Sequence, residues 1–404
     1  MTELRDVVFC SPVRTPVGRF GGALATLDAR ALARTALTAL VERSGLDVDA
    51  VDGVVMAQSY PTMEAPAIGR VAALDAGLPV TTAGYQLDRR CGSGLQAVLN
   101  AAMEIQTGVS EVVIAAGVES MSNAPLYSEQ GRRGVTGPGI MLHDALVRGR
   151  LTAGGENFPT PDGNIGGAEV LRRLYGITRD SQDEFALRSH QRAVSAQSSG
   201  AFAAEIIPVT VPGRRGDTVV DRDENPRADA SLEALEALTP IMRNKEPDAT
   251  VTAGNSSAQN DAAAAVIVTT PARALELGLV PMLRLRSWAV SGVEPELFGI
   301  GPVAATRQAL QRAGARLVDL DIIELNEAFA VQAIACLQDW NVDAEDPRVN
   351  PRGSGISIGH PIGATGVRIL VTLAHEMRAL DATLAVETMC IGGGQGLAAV
   401  FERV

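Results

Sequence analysis

Two reactive side chains, Cys91 and His360, each lie in a glycine-rich turn. Cys91 begins the sequence Cys-Gly-Ser-Gly (91–94), and His360 lies in Gly-His-Pro-Ile-Gly-Ala-Thr-Gly (359–366). A cysteine thiol can act as a nucleophile when a base within hydrogen-bonding reach accepts its proton, and histidine is the most common base of this kind. The pair therefore predicts covalent catalysis by a cysteine, provided that the fold brings the two turns together.

An internal duplication relates the two turns. Residues 45–55 resemble residues 314–323, with Asp52 matched to Asp321. The same spacing, continued without a gap, places Cys91 on His360. Two related halves packed about a pseudo-twofold axis would make these side chains face each other. A chance alignment of two glycine-rich turns is the alternative, but helical patterns follow both turns and argue against it.

Cys91 is predicted to lie at the start of a helix, because apolar residues recur at helical spacing from Leu95 to Ile105. The unpaired N–H groups and the dipole at a helix N-terminus favour a thiolate. We therefore expect its pKa to fall from about 8.5 into the range of roughly 3.5–7.5. Arg89 and Arg90 would lower it further if either guanidinium points inward. The alternative role is that of a small buried apolar side chain.

A second cysteine, Cys390, is followed by Ile-Gly-Gly-Gly-Gln-Gly (391–396). Glycines let backbone N–H groups approach a substrate, so this turn is a candidate oxyanion-binding site. Covalent catalysis needs one cysteine, and the second therefore suggests a separate acid/base. The four cysteines include no C-x-x-C pair and the four histidines show no metal-ligand spacing, so no metal site is predicted.

The composition argues against several other classes of protein. The 404 residues carry a net charge of −12, which disfavours nucleic acid or an anionic membrane as the main partner. Lys245 is the only lysine and lies in a polar run, which excludes a P-loop ATPase and a Schiff-base enzyme. The sequence shows no signal-peptide pattern, no apolar run of membrane length and no peroxisomal tripeptide. A soluble cytoplasmic protein is expected.

Short apolar runs alternate with helical patterns, which indicates parallel α/β layers. Residues 112–117, 321–325 and 384–386 are predicted to be buried strands. Helical patterns follow Cys91 and His360.

Residues 120–250 have no counterpart in the second half of the duplication. They are richer in glycine, proline and charge, and they include a predicted amphipathic helix at residues 181–199. A segment of this length is too long for a connecting loop. It is predicted to form a lid or a substrate-binding region, and a purely structural insertion is the alternative.

The chain resembles the thiolases, which are acyl-CoA C-acyltransferases, over nearly its whole length. The matching segments occur in the same order as in the family: residues 14–18 (Arg-Thr-Pro-Val-Gly), 91–94 (Cys-Gly-Ser-Gly), 117–122 (Gly-Val-Glu-Ser-Met-Ser), 251–257 (Val-Thr-Ala-Gly-Asn-Ser-Ser), 326–330 (Asn-Glu-Ala-Phe-Ala), 359–366 and 390–396. The resemblance implies the α/β thiolase fold, with five layers (αβαβα) built from two duplicated halves.

The resemblance also implies a division into domains. Residues 1–119 with 251–270 would form the N-terminal half, and residues 271–404 the C-terminal half. Residues 120–250 would form an inserted loop domain that binds coenzyme A. No cofactor is expected to be bound permanently, because coenzyme A and acyl-CoA are substrates.

By position in the family's motifs, Cys91 looks like the acylated nucleophile and His360 like the base that activates it. Cys390 looks like the acid/base that handles the proton at the α-carbon. Asn326 would hold a water in one oxyanion hole, and the N–H groups of Cys91 and Gly392 would form the other.

The same carry-over identifies two residues for coenzyme A and two departures from the family. Arg227 looks like the arginine near the nucleotide, and Ser257 like the serine that contacts pantetheine. Family members often have a histidine followed by methionine where residues 161–167 read Pro-Asp-Gly-Asn-Ile-Gly-Gly. Residues 352–355 read Arg-Gly-Ser-Gly, where Asn-Gly-Gly is common. Both departures lie in segments that concern substrate binding and not the reacting groups, so they bear on which acyl group is preferred.

The implied reaction is 3-ketoacyl-CoA + CoA ⇌ acyl-CoA + acetyl-CoA, in fatty-acid β-oxidation or in acetoacetyl-CoA formation. One alternative is a decarboxylating ketosynthase, which has no need of the acid/base Cys390. Others are a catalytically silent CoA- or lipid-binding member of the fold and a Cys/His hydrolase. A homodimer or homotetramer is expected, and a β-oxidation enzyme is a further candidate partner.

Overall fold

The computed structural model describes residues 4–134 and 139–404 of the chain. Its strands are β1 Val8–Arg14, β2 Gly18–Arg19, β3 Gly53–Ala57, β4 Ala83–Leu87, β5 Val112–Ser120, β6 Leu126–Tyr127, β7 His143–Asp144, β8 Val209–Val211, β9 Thr218–Val220, β10 Asn260–Thr269, β11 Pro281–Gly292, β12 Ile322–Leu325, β13 Leu384–Ile391 and β14 Gln395–Arg403. Its α-helices are α1 Ala29–Ser44, α2 Ile68–Asp75, α3 Ser93–Thr107, α4 Ala145–Leu151, α5 Gly163–Tyr175, α6 Arg179–Ser198, α7 Leu232–Glu236, α8 Pro271–Glu276, α9 Gly301–Ala313, α10 Ala330–Trp340 and α11 Thr365–Ala379. Within these ranges, none of the helices has the length and apolar character needed to cross a bilayer.

The large sheet runs in the order β12-β13-β14-β11-β1-β10-β5-β3-β4, with β2 paired to β10. Strands β4, β3 and β5 are parallel, as are β12 and β13. The prediction of parallel layers is wrong for the other neighbouring strands, which pair antiparallel; β13 and β14, for example, are joined by a turn too short for a parallel crossover. The pairing of β1 with β11 involves only the first residues of β1, Val8–Cys10, and joins the two halves. The predicted strands at residues 112–117, 321–325 and 384–386 are confirmed as β5, β12 and β13.

Three apolar clusters define the layers. Helices α1 and α2 pack on one outer face, against β5 and β10. Helices α9 and α10 pack on the other outer face, against β12, β13 and β14. Helices α3 and α11 lie between the two halves and share one core with the inner faces of both, including Val113 and Leu397. This is the predicted five-layer αβαβα arrangement.

The duplication is present, but its spacing is not constant. The spacing that relates Asp52 to Asp321 holds at the next residue, where Gly53 begins β3 and Ile322 begins β12. Continued to Ser93, the first residue of α3, it would begin α11 at residue 362, but α11 begins three residues later, at Thr365. Cys91 therefore lies two residues before its helix, and His360 lies five residues before its own. The residue-for-residue match of Cys91 with His360 is wrong, because the stretch from the start of β12 to the start of α11 is three residues longer than that from β3 to α3.

The segment between β5 and β10 contains helices α4 to α7 and two small sheets, β6·β7 and β8·β9. Its longest helix, α6, confirms the helix predicted at residues 181–199. The Thr178 side chain accepts a hydrogen bond from the Ser181 N–H and caps its first turn. Buried side chains of α6, among them Phe185 and Ala186, join the apolar cluster of the C-terminal half. This contact fixes the inserted segment against the core.

Candidate active site

A cavity of about 360 Å³ lies between the inserted segment and the core. Cys91, His360, Arg227 and Ser257 all line it. A smaller cavity of about 190 Å³ shares Arg227 with the first. Four of the seven predicted site residues therefore meet in one space, although they come from distant parts of the sequence.

Cys91 lies in a tight 3₁₀ turn, Arg90–Gly92, that leads directly into α3. Arg90 has a φ of 49°, in the left-handed region that non-glycine residues rarely adopt. A side chain at Gly92 would lie 2.5 Å from the Ile391 side chain of the opposite half. The turn is therefore strained, and it fits against the other half only because residue 92 is glycine.

Burial raises the pKa of the Cys91 thiol, which is the reverse of the lowered pKa predicted from its place at a helix start. The Gly392 N–H, the Arg90 guanidinium, the N–H of Cys91 itself and the Arg150 guanidinium all favour the thiolate, but burial outweighs them. The resting side chain is therefore a thiol, and its nucleophilicity depends on a base.

His360 has the form that such a base requires. Its Nδ1 lies 2.7 Å from the Thr365 Oγ1, and that hydroxyl donates to the Pro361 carbonyl at 2.9 Å. Because the hydroxyl proton is already used, Thr365 accepts a hydrogen bond from Nδ1–H, which leaves the lone pair on Nε2. The His360 Nε2 is buried and has no hydrogen-bond partner among the described residues. Burial, helped by Arg368 and Arg150, lowers the pKa of His360 to about 3, so the imidazole is neutral at pH 7.

Backbone and amide contacts fix the turn that carries His360. The His360 N–H donates to the Asn260 Oδ1 at 2.8 Å, and the Asn260 Nδ2 donates to the Gly18 carbonyl at 2.8 Å. Gly359 has a φ of 119°, and a side chain there would lie 2.7 Å from the Asn260 Oδ1. Only glycine fits this position.

Glu119, at the end of β5, links the turns of the two halves. Its carboxylate accepts hydrogen bonds from the N–H groups of Ser59 (3.0 Å), Tyr60 (3.1 Å) and Gly363 (2.8 Å). Burial raises the pKa of Glu119 to about 7, and these hydrogen bonds oppose the rise. Glu119 lies in the motif at residues 117–122, but no role was predicted for it from the sequence. An acidic side chain at the end of a strand buried on both faces was the available signal.

Cys390 lies near the end of β13, opposite Gly396 of β14, and is fully buried. It does not line the cavity itself, but the N–H of Gly392, two residues later, lies close enough to the Cys91 thiol to favour its thiolate form. Burial and the neighbouring Cys91 raise the pKa of Cys390 well above its ordinary value. Cys390 is thus a protonated thiol close to Cys91, behind the cavity wall.

Asn326 is also buried behind the wall, at the end of β12. Its N–H donates to the Thr388 carbonyl at 3.0 Å, which ties it to β13. Its side-chain Oδ1 and Nδ2 have no hydrogen-bond partner among the described residues. A buried amide without partners is costly, and it keeps its hydrogen-bonding capacity for another molecule.

Arg227 and Ser257 line the cavity from different parts of the chain. Arg227 is exposed, and its N–H donates to the His190 Nδ1 at 3.3 Å. The Ser257 N–H donates to the Ala328 carbonyl at 2.9 Å, which places Ser257 beside the loop after β12. His190 is buried, and its pKa is lowered to about 4 by burial and by Arg227.

Arg150 and Asn164 line the cavity and had no role in the sequence analysis. Asn164 lies within residues 161–167, the first segment that differs from the family's usual sequence. This difference therefore changes the lining of the cavity. Residues 352–355 do not line the cavity. Arg352 instead lies 3.4 Å from the Glu376 carboxylate. Within residues 4–134 and 139–404, no group of three or more His, Cys, Asp or Glu side chains is placed to hold a metal ion.

Known proteins resemble this chain over its full length. The thiolase N-terminal domain family matches residues 7–272 and the thiolase C-terminal domain family matches residues 279–403. An acetyl-CoA acetyltransferase of Escherichia coli (strain K12) is 43% identical over 403 residues, covering 99% of this chain and 100% of that protein. A beta-ketoadipyl-CoA thiolase of Pseudomonas aeruginosa is 42% identical over 409 residues, covering 99% and 100%.

A solved structure agrees with these matches. The crystal structure of the Bacillus anthracis acetyl-CoA acetyltransferase superposes with a TM-score of 0.94 at 39% identity, and the match covers 100% of both chains. The ketosynthase and the silent binding protein weighed as alternatives gain no support from these relatives. The chain belongs to the thiolase family.

Proposed function

We propose that this chain, which as a thiolase is an acyl-CoA C-acyltransferase, cleaves 3-ketoacyl-CoA with coenzyme A through an acyl-enzyme on Cys91. The observation that carries the proposal is the meeting of Cys91 and His360 in one cavity, with the lone pair of the His360 Nε2 unpartnered among the described residues. A neutral base beside a neutral thiol generates the thiolate when substrate is attacked. Cys91 can therefore act as the nucleophile although the pKa of its thiol is not lowered in the resting protein.

In the first step, Nε2 of His360 accepts the proton of the Cys91 thiol, and the sulfur attacks the C3 carbonyl carbon of the substrate. The N–H groups of Cys91 and Gly392 stabilise the oxyanion that forms on the C3 oxygen. Gly393 and Gly394, which follow, have φ values of 93° and 88°. These left-handed conformations allow the turn to present the Gly392 N–H to the reacting centre.

In the second step, the C2–C3 bond breaks and its electron pair passes to C2, which gives the enolate of acetyl-CoA. Asn326 assists on the thioester oxygen of this enolate, in the second oxyanion hole. The Cys390 thiol protonates C2, and its raised pKa keeps that proton available at neutral pH. Acetyl-CoA leaves, and the acyl group remains on Cys91.

In the third step, the thiol of a second coenzyme A gives its proton to the Cys390 thiolate and attacks the acyl carbon. The Cys91 thiolate departs and recovers its proton from His360. The sum is 3-ketoacyl-CoA + CoA → acyl-CoA + acetyl-CoA, with both cysteines and the histidine restored. In reverse the steps give a Claisen condensation, and the concentrations of the thioesters and free CoA decide the direction.

Coenzyme A would lie between the inserted segment, residues 120–250, and the two halves of the core. The smaller cavity continues beyond Arg227 and is lined by Ser231 and Leu235 of the inserted segment. In this placement Arg227 contacts the nucleotide and Ser257 the pantetheine arm. No permanently bound cofactor takes part in the steps above.

The active form is proposed to be a cytoplasmic homodimer or homotetramer. Among the described strands, β4 ends the large sheet and is paired only to β3, so its other edge can pair with a second chain. Mass measurement of the protein in solution tests this state.

Mass spectrometry tests the acyl-enzyme directly. Brief incubation with acetoacetyl-CoA, followed by acid quench and digestion, should give an acetyl adduct on the peptide that contains Cys91. An adduct on Cys390 with Cys91 unmodified would reverse the two cysteine roles. The relatives are named for acetyl-CoA and for beta-ketoadipyl-CoA, so the acyl group accepted here depends on this chain's own cavity.

A further inference from the structure

Arg150 brings an arginine into the cavity that holds Cys91 and His360. It lies near the end of α4, and its Cβ would be 3.3 Å from a side chain at Gly163, where α5 begins. Two packed elements of the inserted segment, α4 and the start of α5, therefore hold Arg150 in place. Its position depends on the segment's own fold and not on the duplicated core.

The guanidinium of Arg150 has no ion-pair or hydrogen-bond partner among the described residues. Two other arginines of the described residues do have such partners. Arg90 donates to the Tyr60 hydroxyl at 2.8 Å and stacks over the Tyr60 ring at 4.8 Å, and Arg172 lies 2.9 Å from the Glu169 carboxylate. A half-buried guanidinium without an anion loses hydration without compensation.

In the part of the chain that the structure describes, no acidic side chain lines the cavity to serve as this anion. The polar lining consists of amide, hydroxyl, thiol and imidazole groups together with Arg150 and Arg227. The chain as a whole carries a net charge of −12, so a positively charged cavity is a local property. An anionic ligand would balance the positive charge of the cavity.

The anion that meets Arg150 belongs to the acyl side of the substrate. The charge of Arg150 acts on both Cys91 and His360, which places the guanidinium near the reacting thioester. The phosphates of coenzyme A are separated from the thioester by the full pantetheine arm, and the smaller cavity beyond Arg227 is on their side. A carboxylate at the far end of a short acyl chain is an anion that can lie this close to Cys91.

We infer that Arg150 binds the terminal carboxylate of the acyl chain, so that the preferred substrates are 3-oxoacyl-CoA thioesters of short dicarboxylic acids. The planar guanidinium matches a carboxylate with two parallel hydrogen bonds. Asn164 lines the same cavity and offers a second polar group for the acyl chain; its amide oxygen would lie 3.0 Å from a side chain at Gly392. This inference rests on the thiolase function proposed above.

Two six-carbon substrates that differ only in the terminal group test it: 3-oxohexanedioyl-CoA and 3-oxohexanoyl-CoA. The ratio of their kcat/KM values for thiolysis is measured for the wild type, Arg150→Met and Arg148→Met. Arg148 lies on the same helix but lines a different cavity, so its variant controls for the loss of one positive charge. Acetoacetyl-CoA serves as the baseline substrate for all three proteins.

The wild type and Arg148→Met should prefer the dicarboxylic substrate. In Arg150→Met its kcat/KM should fall about a hundredfold, mainly through KM, because a bidentate charged contact is lost. Thiolysis of 3-oxohexanoyl-CoA and acetoacetyl-CoA should fall by a smaller factor that is the same for both, because the lost Arg150 charge acts on Cys91 and His360 whichever substrate is bound. Retained acetoacetyl-CoA cleavage also shows that the variant is folded.

Two results would overturn the inference. One is a wild-type enzyme without preference for the dicarboxylic substrate. The other is an Arg150→Met variant that loses the same factor with both six-carbon substrates, because Arg150 would then act on the Cys91 thiolate and not on the acyl chain. Failure of the wild type to cleave acetoacetyl-CoA would instead overturn the proposed thiolase function.

Discussion

The turn before α3 and the turn before α11 occupy equivalent places in the two halves, yet they present a thiol in one case and an imidazole in the other. Their helices cross at Gly94 and Gly366, where a side chain would lie 2.7 Å and 2.1 Å from backbone nitrogen of the opposite helix. Each of these glycines is the second residue of its helix. The scaffold is therefore symmetric at the crossing.

The two sites differ in the distance of the reactive residue from its helix. His360 lies five residues before α11, where its Nδ1 reaches the first residue of that helix, Thr365. Cys91 has no comparable side-chain partner among the described residues and is held by backbone instead, in a strained 3₁₀ turn. A symmetric fold thus supports an asymmetric site, because the reactive residue lies two residues before its helix in one half and five residues before it in the other.

The largest expected effect comes from removing Cys91, the proposed nucleophile in the first turn. Cys91→Ala should abolish thiolysis and condensation, because no acyl-enzyme can form. Cys336→Ala is the matched control, since that thiol is buried in the C-terminal half and donates to the Gly299 carbonyl. Steady-state thiolysis of acetoacetyl-CoA measures both variants. Residual turnover in Cys91→Ala within tenfold of the wild type would contradict the assignment.

The next largest effect is expected for Cys390, which lies in neither of the two turns. Cys390→Ser should keep acylation of Cys91 by a simple acyl-CoA, because that half-reaction uses only Cys91 and His360. Carbon–carbon cleavage should fall by orders of magnitude, since a hydroxyl exchanges its proton with C2 far less readily than a thiol. Exchange of the α-hydrogens of acetyl-CoA with deuterated water, followed by mass spectrometry, should fall in parallel. Full exchange in the variant would show that another group moves the proton.

Removal of the base tests the second turn. His360→Ala should slow alkylation of Cys91 by iodoacetamide at pH 7 by about a hundred- to ten-thousand-fold, the usual contribution of a general base. His375→Ala is the control, because His375 lies within α11 and its imidazole contacts the Pro12 carbonyl. Equal alkylation rates in the wild type and His360→Ala would remove His360 from the role of activating base.

The fold was accessible from the sequence because apolar periodicity marks both halves. The strands at 112–117 and 321–325 and the helices after Cys91 and His360 are visible as patterns, and the motifs identify the family. The change of spacing between the halves was not accessible. An ungapped match fits the strands β3 and β12 and gives no sign of where the spacing changes before the helices.

The site was predictable by residue type and less so by electrostatics. Helix position suggested a lowered pKa for Cys91, but the depth of burial, which depends on packing between the halves, reverses the sign. Arg150 and Asn164 could not be found from local pattern, because their approach to the cavity depends on how the inserted segment packs. The neutral state of His360 likewise requires its contact with Thr365 to be seen.

A smaller effect is expected for Arg227, which belongs to the inserted segment and not to the core. Arg227→Ala should raise the KM for coenzyme A by about tenfold with little change in kcat, because a contact to the nucleotide is the same in ground and transition states. Arg222→Ala is the control, since Arg222 is an exposed arginine of the same segment that lines neither cavity. Initial rates at varied CoA concentration give both constants. An unchanged KM would show that Arg227 does not meet the nucleotide.

The smallest effect is on stability, and it concerns the asymmetric link between the two turns. Glu119 of β5 binds Ser59, Tyr60 and Gly363, whereas the apolar Ile391 occupies the equivalent position of β13 in the second half. The folded pKa of Glu119 is raised to about 7 from an ordinary value of 4.5. The folded state therefore binds more protons than the unfolded state between these values, and this contribution to stability is complete below about pH 4.5 and is lost as pH rises towards 7.

Glu119→Gln removes this titration while keeping a side-chain oxygen that accepts hydrogen bonds. The free energy of unfolding of the wild type, measured relative to the variant, should decline from pH 4.5 to pH 7 and become constant above that. Urea unfolding at several pH values in this window measures the difference. Glu376, whose pKa is also raised to about 7, is present in both proteins, so its contribution cancels. Parallel pH profiles for the two proteins would show that Glu119 keeps the same proton affinity in the folded and unfolded chain, and that the link between the turns is not electrostatic.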